Sequence, residues 1–91
     1  MEIEIKKHTD KELVIQISGE THTLGNLIAK EAMNHPHVVF ASYRVPHPLI
    51  NKIELTIVVD DSYDVDKAFI EIIENIRDYL KDFKRLVEEK L

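Results

Sequence analysis

A chain of 91 residues, 44% hydrophobic and 32% charged, has the material for one small domain over residues 1–91 and is too apolar for a disordered tail. Seventeen acidic against twelve basic residues give a formal charge of −5, which argues against gripping nucleic-acid phosphates directly. Cysteine is absent, excluding disulfides, thiolate metal sites and thiol nucleophiles, and the longest apolar run (Val38 to Ala41) excludes a membrane span or signal-peptide core. The expectation is a soluble cytoplasmic domain.

Met1 to Lys7 alternates as Glu2-Ile3-Glu4-Ile5-Lys6, the period of a half-buried strand. His8 to Lys11 is a polar turn. Glu12 to Ser18 places Leu13, Ile15 and Ile17 on one face, so the two strands form a hairpin that Gly19 ends. Thr23 to Asn34 has Leu24, Leu27, Ile28 and Ala32 at spacings that share one helical face. Thr21 or Thr23 caps this helix, and Asn34 followed by Pro36 stops it. Gly25 sits in its first turn at a cost of about 1 kcal/mol relative to Ala, which implies that another segment passes close by.

Val38 to Val45 reads as a third strand, with Val39, Ala41, Tyr43 and Val45 on one face and Val38, Phe40, Ser42 and Arg44 on the other. Pro46-His47-Pro48 enforces an extended connection. Ile53, Leu55, Ile57 and Val59 alternate through a fourth strand, and Asp60-Asp61-Ser62 is an acidic turn. Asp64 to Leu91 has neither Gly nor Pro and reads as one long helix, acidic at its start as the helix dipole prefers. The order β-β-α-β-β-α predicts an α+β two-layer sandwich, an antiparallel four-stranded sheet with two helices on one face.

The long helix carries three apolar positions per heptad: Phe69, Ile76 and Phe83; Ile73, Leu80 and Val87; Ile72, Tyr79 and Leu86. This stripe is wider than a simple coiled-coil seam. A helix of about 26 residues is about 39 Å long, whereas a compact domain of this size is roughly 31 Å across. Its last two turns should therefore overhang, still bearing Phe83, Leu86, Val87 and Leu91, and such exposed apolar surface marks a docking site. The alternative is a helix that bends over its own sheet or frays near Val87.

Chemistry is sparsely signalled. None of the five histidines (His8, His22, His35, His37, His47) is paired at the i,i+4 spacing of a helical metal site. Asp60, Asp61, Asp64 and Asp66 lack the glycine and terminal glutamate of a calcium loop. There is no Gly-rich phosphate loop and no nucleophile elbow. No catalytic residue, metal or cofactor is expected.

Two stretches carry a family resemblance: Gly19-Glu20-Thr21-His22-Thr23-Leu24-Gly25-Asn26-Leu27-Ile28, and Val38-Val39-Phe40-Ala41-Ser42-Tyr43-Arg44-Val45-Pro46-His47-Pro48-Leu49. Together they resemble the alpha-like small-subunit family of multisubunit DNA-directed RNA polymerases, typified by the archaeal subunit L. Ile28 stands where that family more usually has Leu. The resemblance implies a non-catalytic chain that pairs with the larger alpha-like subunit, known as D. That heterodimer is the platform for the two large catalytic subunits, with small subunits N and P attached through D. It further implies that Leu24, Gly25, Leu27, Ile28, Phe69, Ile73, Ile76, Leu80, Phe83 and Val87 form the pairing surface, Gly25 allowing close helix approach. His22, Thr23, Asn26, Phe40, Tyr43, Pro46, His47 and Pro48 are the motif residues, with His22, Asn26 and the Pro46-His47-Pro48 loop facing neighbouring subunits.

Two alternatives share the size and element order. A pterin-carbinolamine dehydratase-like enzyme would need His22, His35 and His47 to converge on one cavity. A ligand-binding regulatory domain would need a Gly-rich effector loop, for which Gly19 and Gly25 are a thin basis.

Overall fold

The computed structural model describes residues 2–19, 22–47 and 51–91. Its elements run β1 (Glu2–His8), β2 (Glu12–Ser18), α1 (His22–Met33), β3 (Val38–Arg44), β4 (Lys52–Val59) and α2 (Val65–Lys90). The sheet order is β1-β2-β4-β3 with every neighbouring pair antiparallel, so the two hairpins join through β2 and β4 at the centre.

Local chemistry fixes the joints. The Thr9 hydroxyl accepts from the Glu12 N–H at 3.0 Å and closes the first hairpin. Gly19 leaves β2 at φ 83, a left-handed conformation that L side chains resist, and its N–H donates to the Asn51 carbonyl at 3.0 Å. Asp64 caps α2 by accepting from the Asp66 N–H at 2.8 Å.

Strict alternation on the two central strands turns Leu13, Ile15 and Ile17 of β2 and Ile53, Leu55, Ile57 and Val59 of β4 to the helices. Ile28 and Ala32 of α1, and Val65, Ala68 and Ile72 of α2, close over them. The other sheet face is open.

Three expectations change. The alternation of β3 is broken by a bulge: Val38 pairs with Val59, but Phe40 pairs with Val58 and Ala41 with Ile57. The extra residue puts Val38, not Val39, on the core side with Ala41 and Tyr43, and leaves Val39 exposed. β1 is exposed along its whole length rather than half-buried. Ile3 and Ile5 pair with Ile17 and Ile15 and so face the helix side, yet the helices pack mainly over β2, β3 and β4.

Gly25 is the third. A Cβ there would lie 2.9 Å from Tyr43 Cδ2 and 3.0 Å from Ile53 Cδ1, so the close neighbour is the chain's own sheet, not a partner helix. Gly25→Ala would improve helix propensity by about 1 kcal/mol. It would also have to displace the Tyr43 ring near its root, and overpacking of this kind costs about 1–3 kcal/mol. The expected outcome is no net gain and up to about 2 kcal/mol lost, read from the urea midpoint of the full chain. A clear gain in stability would show that the ring yields freely.

Candidate partner interface

α2 is one uninterrupted helix with two environments along its length. Its first two turns are held by Val65, Ala68 and Ile72, which are fully buried against the sheet. Beyond them the same apolar stripe runs out into solvent: Leu80 is 55% exposed, Phe83 60% and Tyr79 74%, with Leu86 and Val87 following. The molecule accordingly measures 44 Å along its longest axis, with a radius of gyration of 14.4 Å, larger than a compact chain of this length requires. The helix neither bends back over its own sheet nor ends at Val87.

Two grooves border the stripe. One, of about 420 Å³, is lined by Ile73, Ile76 and Leu80 together with Arg77, Lys81 and Lys84. The other, of about 360 Å³, lies between the helices and is lined by Leu27, Glu31, Ile76, Tyr79 and Leu80. The outward face carries exposed ion pairs, Arg85 to Glu89 at 3.0 Å and Arg77 to Asp78 at 3.5 Å. Such surface pairs contribute less than about 1 kcal/mol each.

The residues assigned to a pairing surface divide accordingly. Leu27, Ile73, Leu80, Phe83 and Val87 are exposed, and Ile76 is half-buried at the point where the stripe leaves the core. Leu24 and Phe69 are half-buried against the core. Ile28 and Gly25 are corrected: both are buried inside the chain's own fold, because α1 turns that face to the sheet. Of the motif residues, Thr23 and Asn26 lie on the exposed side of α1, and Tyr43 packs partly on the core. Phe40 is on the open sheet face opposite Val58, Pro46 is half-buried and His47 exposed. His22 opens α1, but its side chain, like Pro48, lies outside the described residues.

A polar cluster not anticipated from the sequence joins the end of α1 to α2. His35, whose side chain is only 6% exposed, accepts at Nδ1 from the His37 N–H at 3.1 Å. Its proton therefore sits on Nε2 and is donated to Glu71 Oε1 at 2.9 Å. The Tyr63 hydroxyl donates to the same oxygen, and the Tyr63 ring stacks on His37 at 4.1 Å. His37 Nδ1 donates to Asp60 at 3.1 Å, while the Ser62 hydroxyl donates to Asp60 at 2.6 Å.

These donors favour the ionised carboxylates. The Tyr63 and His35 hydrogen bonds hold Glu71 below the usual range, and those from Ser62 and then His37 hold Asp60 down to about 2. A carboxyl depressed in the folded state contributes stability above its unfolded pKa and loses it as pH falls through the folded value. Stability should thus be level above about pH 5 and fall as pH drops from about 4 toward 2. Glu71→Gln should make that fall shallower in pH-dependent urea melts; an acid profile identical to the parent chain's would mean the cluster carries none of it.

The cluster is structural rather than catalytic in arrangement. His22 and His35 are at opposite ends of α1, and His35 precedes β3 whereas His47 follows it. The dehydratase-like reading, which needed these three in one cavity, is therefore not supported. Among the described residues no group of histidine, aspartate and glutamate is placed to hold a metal ion, and no helix is long and apolar enough to cross a membrane.

Residues 12–86 match the model of the RNA polymerase Rpb3/Rpb11 dimerisation domain. The DNA-directed RNA polymerase subunit Rpo11 of Saccharolobus solfataricus is 44% identical over 92 residues, covering 97% of this chain and 100% of that one. The Rpo11 subunit of Sulfolobus acidocaldarius is 41% identical over 83 residues, covering 91% and 92%. The fold is also that of the crystal structure of DNA-directed RNA polymerase subunit L from Thermoplasma acidophilum, with a TM-score of 0.83 at 13% identity, covering 98% of this chain and 87% of that one. The match across residues 12–86, together with relatives 41% and 44% identical along nearly the whole chain, places the chain in the Rpb3/Rpb11 dimerisation-domain family of RNA polymerase subunits.

Proposed function

We propose that this non-catalytic RNA polymerase subunit works in the cytoplasm by pairing with the larger alpha-like subunit of its enzyme. The observation that carries the reading is the apolar stripe of α2 that continues past its own sheet, in a chain whose family is named for dimerisation. A stripe of this width left in water is unfavourable, and burying each exposed Leu or Phe contributes about 1.5–3 kcal/mol. Leu27, Ile73, Ile76, Leu80, Phe83 and Val87 form the pairing surface, joined by Tyr79 and Leu86. Phe69 and Leu24 support it from beneath, while Gly25 and Ile28 serve the chain's own core.

The heterodimer then acts as the platform for the two large catalytic subunits, with small subunits N and P attached through the larger alpha-like partner. His22, Asn26 and the Pro46-His47-Pro48 loop, together with Phe40 on the open sheet face, are the groups we assign to contacts with neighbouring subunits. The net charge of −5 argues against a direct nucleic-acid role. The test is co-expression of the full chain with the larger alpha-like subunit of its own polymerase, followed by sedimentation. A one-to-one complex supports the reading. A chain that sediments alone, with the larger partner present and folded, refutes it.

A further inference from the structure

The two edges of the exposed stripe on α2 carry opposite charge. Arg77, Lys81 and Lys84, spaced i, i+4 and i+7, line the groove beside Ile73, Ile76 and Leu80, and Glu74 and Glu88, each seven residues from Lys81, bound this basic edge at its two ends. Asp78, Asp82 and Glu89, spaced i, i+4 and i+11, lie toward the other edge and continue the line of Glu71. Arg77 reaches Asp78 across the solvent face at 3.5 Å, and Arg85 is paired with Glu89 at 3.0 Å. Lys81 and Lys84 on one edge and Asp82 on the other lie outside these ion pairs, as do Glu74 and Glu88.

Symmetry gives this segregation a consequence. In a two-fold antiparallel pair of identical helices, each edge meets its own counterpart, so basic would face basic and acidic would face acidic. Antiparallel packing is nonetheless the arrangement the shape calls for. The overhanging half of α2 needs cover over a stripe three positions wide, and only an antiparallel partner brings its sheet to lie beneath that half. Two parallel overhangs would lie side by side with no sheet beneath them and leave part of the three-position stripe in water. Flanking charges of this kind set partner choice and orientation in paired helices.

We infer that the charged edges of α2 are a partner-selecting device that rejects a second copy of this chain and takes an antiparallel amphipathic helix with the reversed order, acidic along the edge that meets Arg77, Lys81 and Lys84. The inference rests on the proposed pairing with the larger alpha-like subunit and adds what that partner's helix must look like.

The reagents are the full-length chain, its variants and the larger alpha-like subunit of the same polymerase. Arg77→Glu, Lys81→Glu and Lys84→Glu combined should weaken the complex by roughly tenfold, about 1.4 kcal/mol, through a slower association rate, and should remove most of its salt dependence. A second variant exchanges both edges, adding Asp78→Lys, Asp82→Lys and Glu89→Lys. Mixed with the parent chain it should form a mixed dimer at concentrations where neither self-associates, read by native mass spectrometry. Every substituted side chain is exposed, and far-UV circular dichroism checks that each variant stays helical. Unchanged affinity and salt dependence of the triple variant, or no mixed dimer with the exchanged one, overturns the charge selection and leaves the pairing intact. Failure of the parent chain itself to bind overturns the pairing reading instead.

Discussion

Leu80→Glu combined with Phe83→Glu is expected to abolish binding of the larger alpha-like subunit while leaving the chain folded. In the free chain these side chains are 55% and 60% exposed, so the substitutions cost it about 0.5 kcal/mol or less. In the proposed complex the same positions would be central. Each loses the burial of a large apolar group, about 1.5–3 kcal/mol, and each leaves an unpaired carboxylate in a dry contact, which costs several kcal/mol more. The sum corresponds to at least about three orders of magnitude in Kd. Calorimetric titration of the full chain reads the loss, and an unaltered far-UV spectrum and urea midpoint read the intact fold. Affinity retained within a few-fold would place the partner elsewhere.

About two turns earlier on the same helix the expectation reverses. Ile72 is completely buried on the underside of α2, in one cluster with Ile53, Leu55 and Ile57 of the sheet. Ile72→Ala removes three carbons from a site enclosed by packed neighbours, so the cavity relaxes little and the cost is about 2–5 kcal/mol. A domain of this size holds roughly 5–10 kcal/mol in total, and each kcal/mol lost lowers its melting temperature by about 4–8 °C. The variant should melt far below the parent chain, and its weakened pairing should follow from that instability. Ile73→Ala, the adjacent position on the exposed side, should melt within a few degrees of the parent chain. Equal melting temperatures for the two variants would mean that the helix does not pack as described.

The contrast between Ile72 and Ile73 also marks what was legible in the amino-acid order. Alternation through Leu13, Ile15 and Ile17, and again through Ile53, Leu55 and Ile57, specified the central strands, because a buried face in a period-2 segment leaves one register. The overhang of α2 followed from length alone, since a helix rises by a fixed amount per residue whereas a domain's diameter grows slowly with chain length.

What escaped has a different origin. The bulge at Val39 shifts a face by one residue without any change in composition, and a glycine-free bulge leaves no local mark. Ile3 and Ile5 alternate like core residues, but whether a helix covers β1 depends on where α1 and α2 lie across the sheet. Gly25 signalled a close neighbour without naming it, and the neighbour is Tyr43, on a different element. The His35–Glu71 bond joins residues 36 positions apart, and only the assembled fold stacks His37 on the Tyr63 ring.

Amide hydrogen exchange on the full chain, free and bound to the larger alpha-like subunit of its polymerase, tests the pairing surface most directly. Binding should slow exchange along residues 76–91 of α2 and around Leu27 of α1, and leave the amides of β2 and β4 unchanged. Protection confined to the open sheet face around Phe40 and Val58, with α2 exchanging as in the free chain, would contradict that surface.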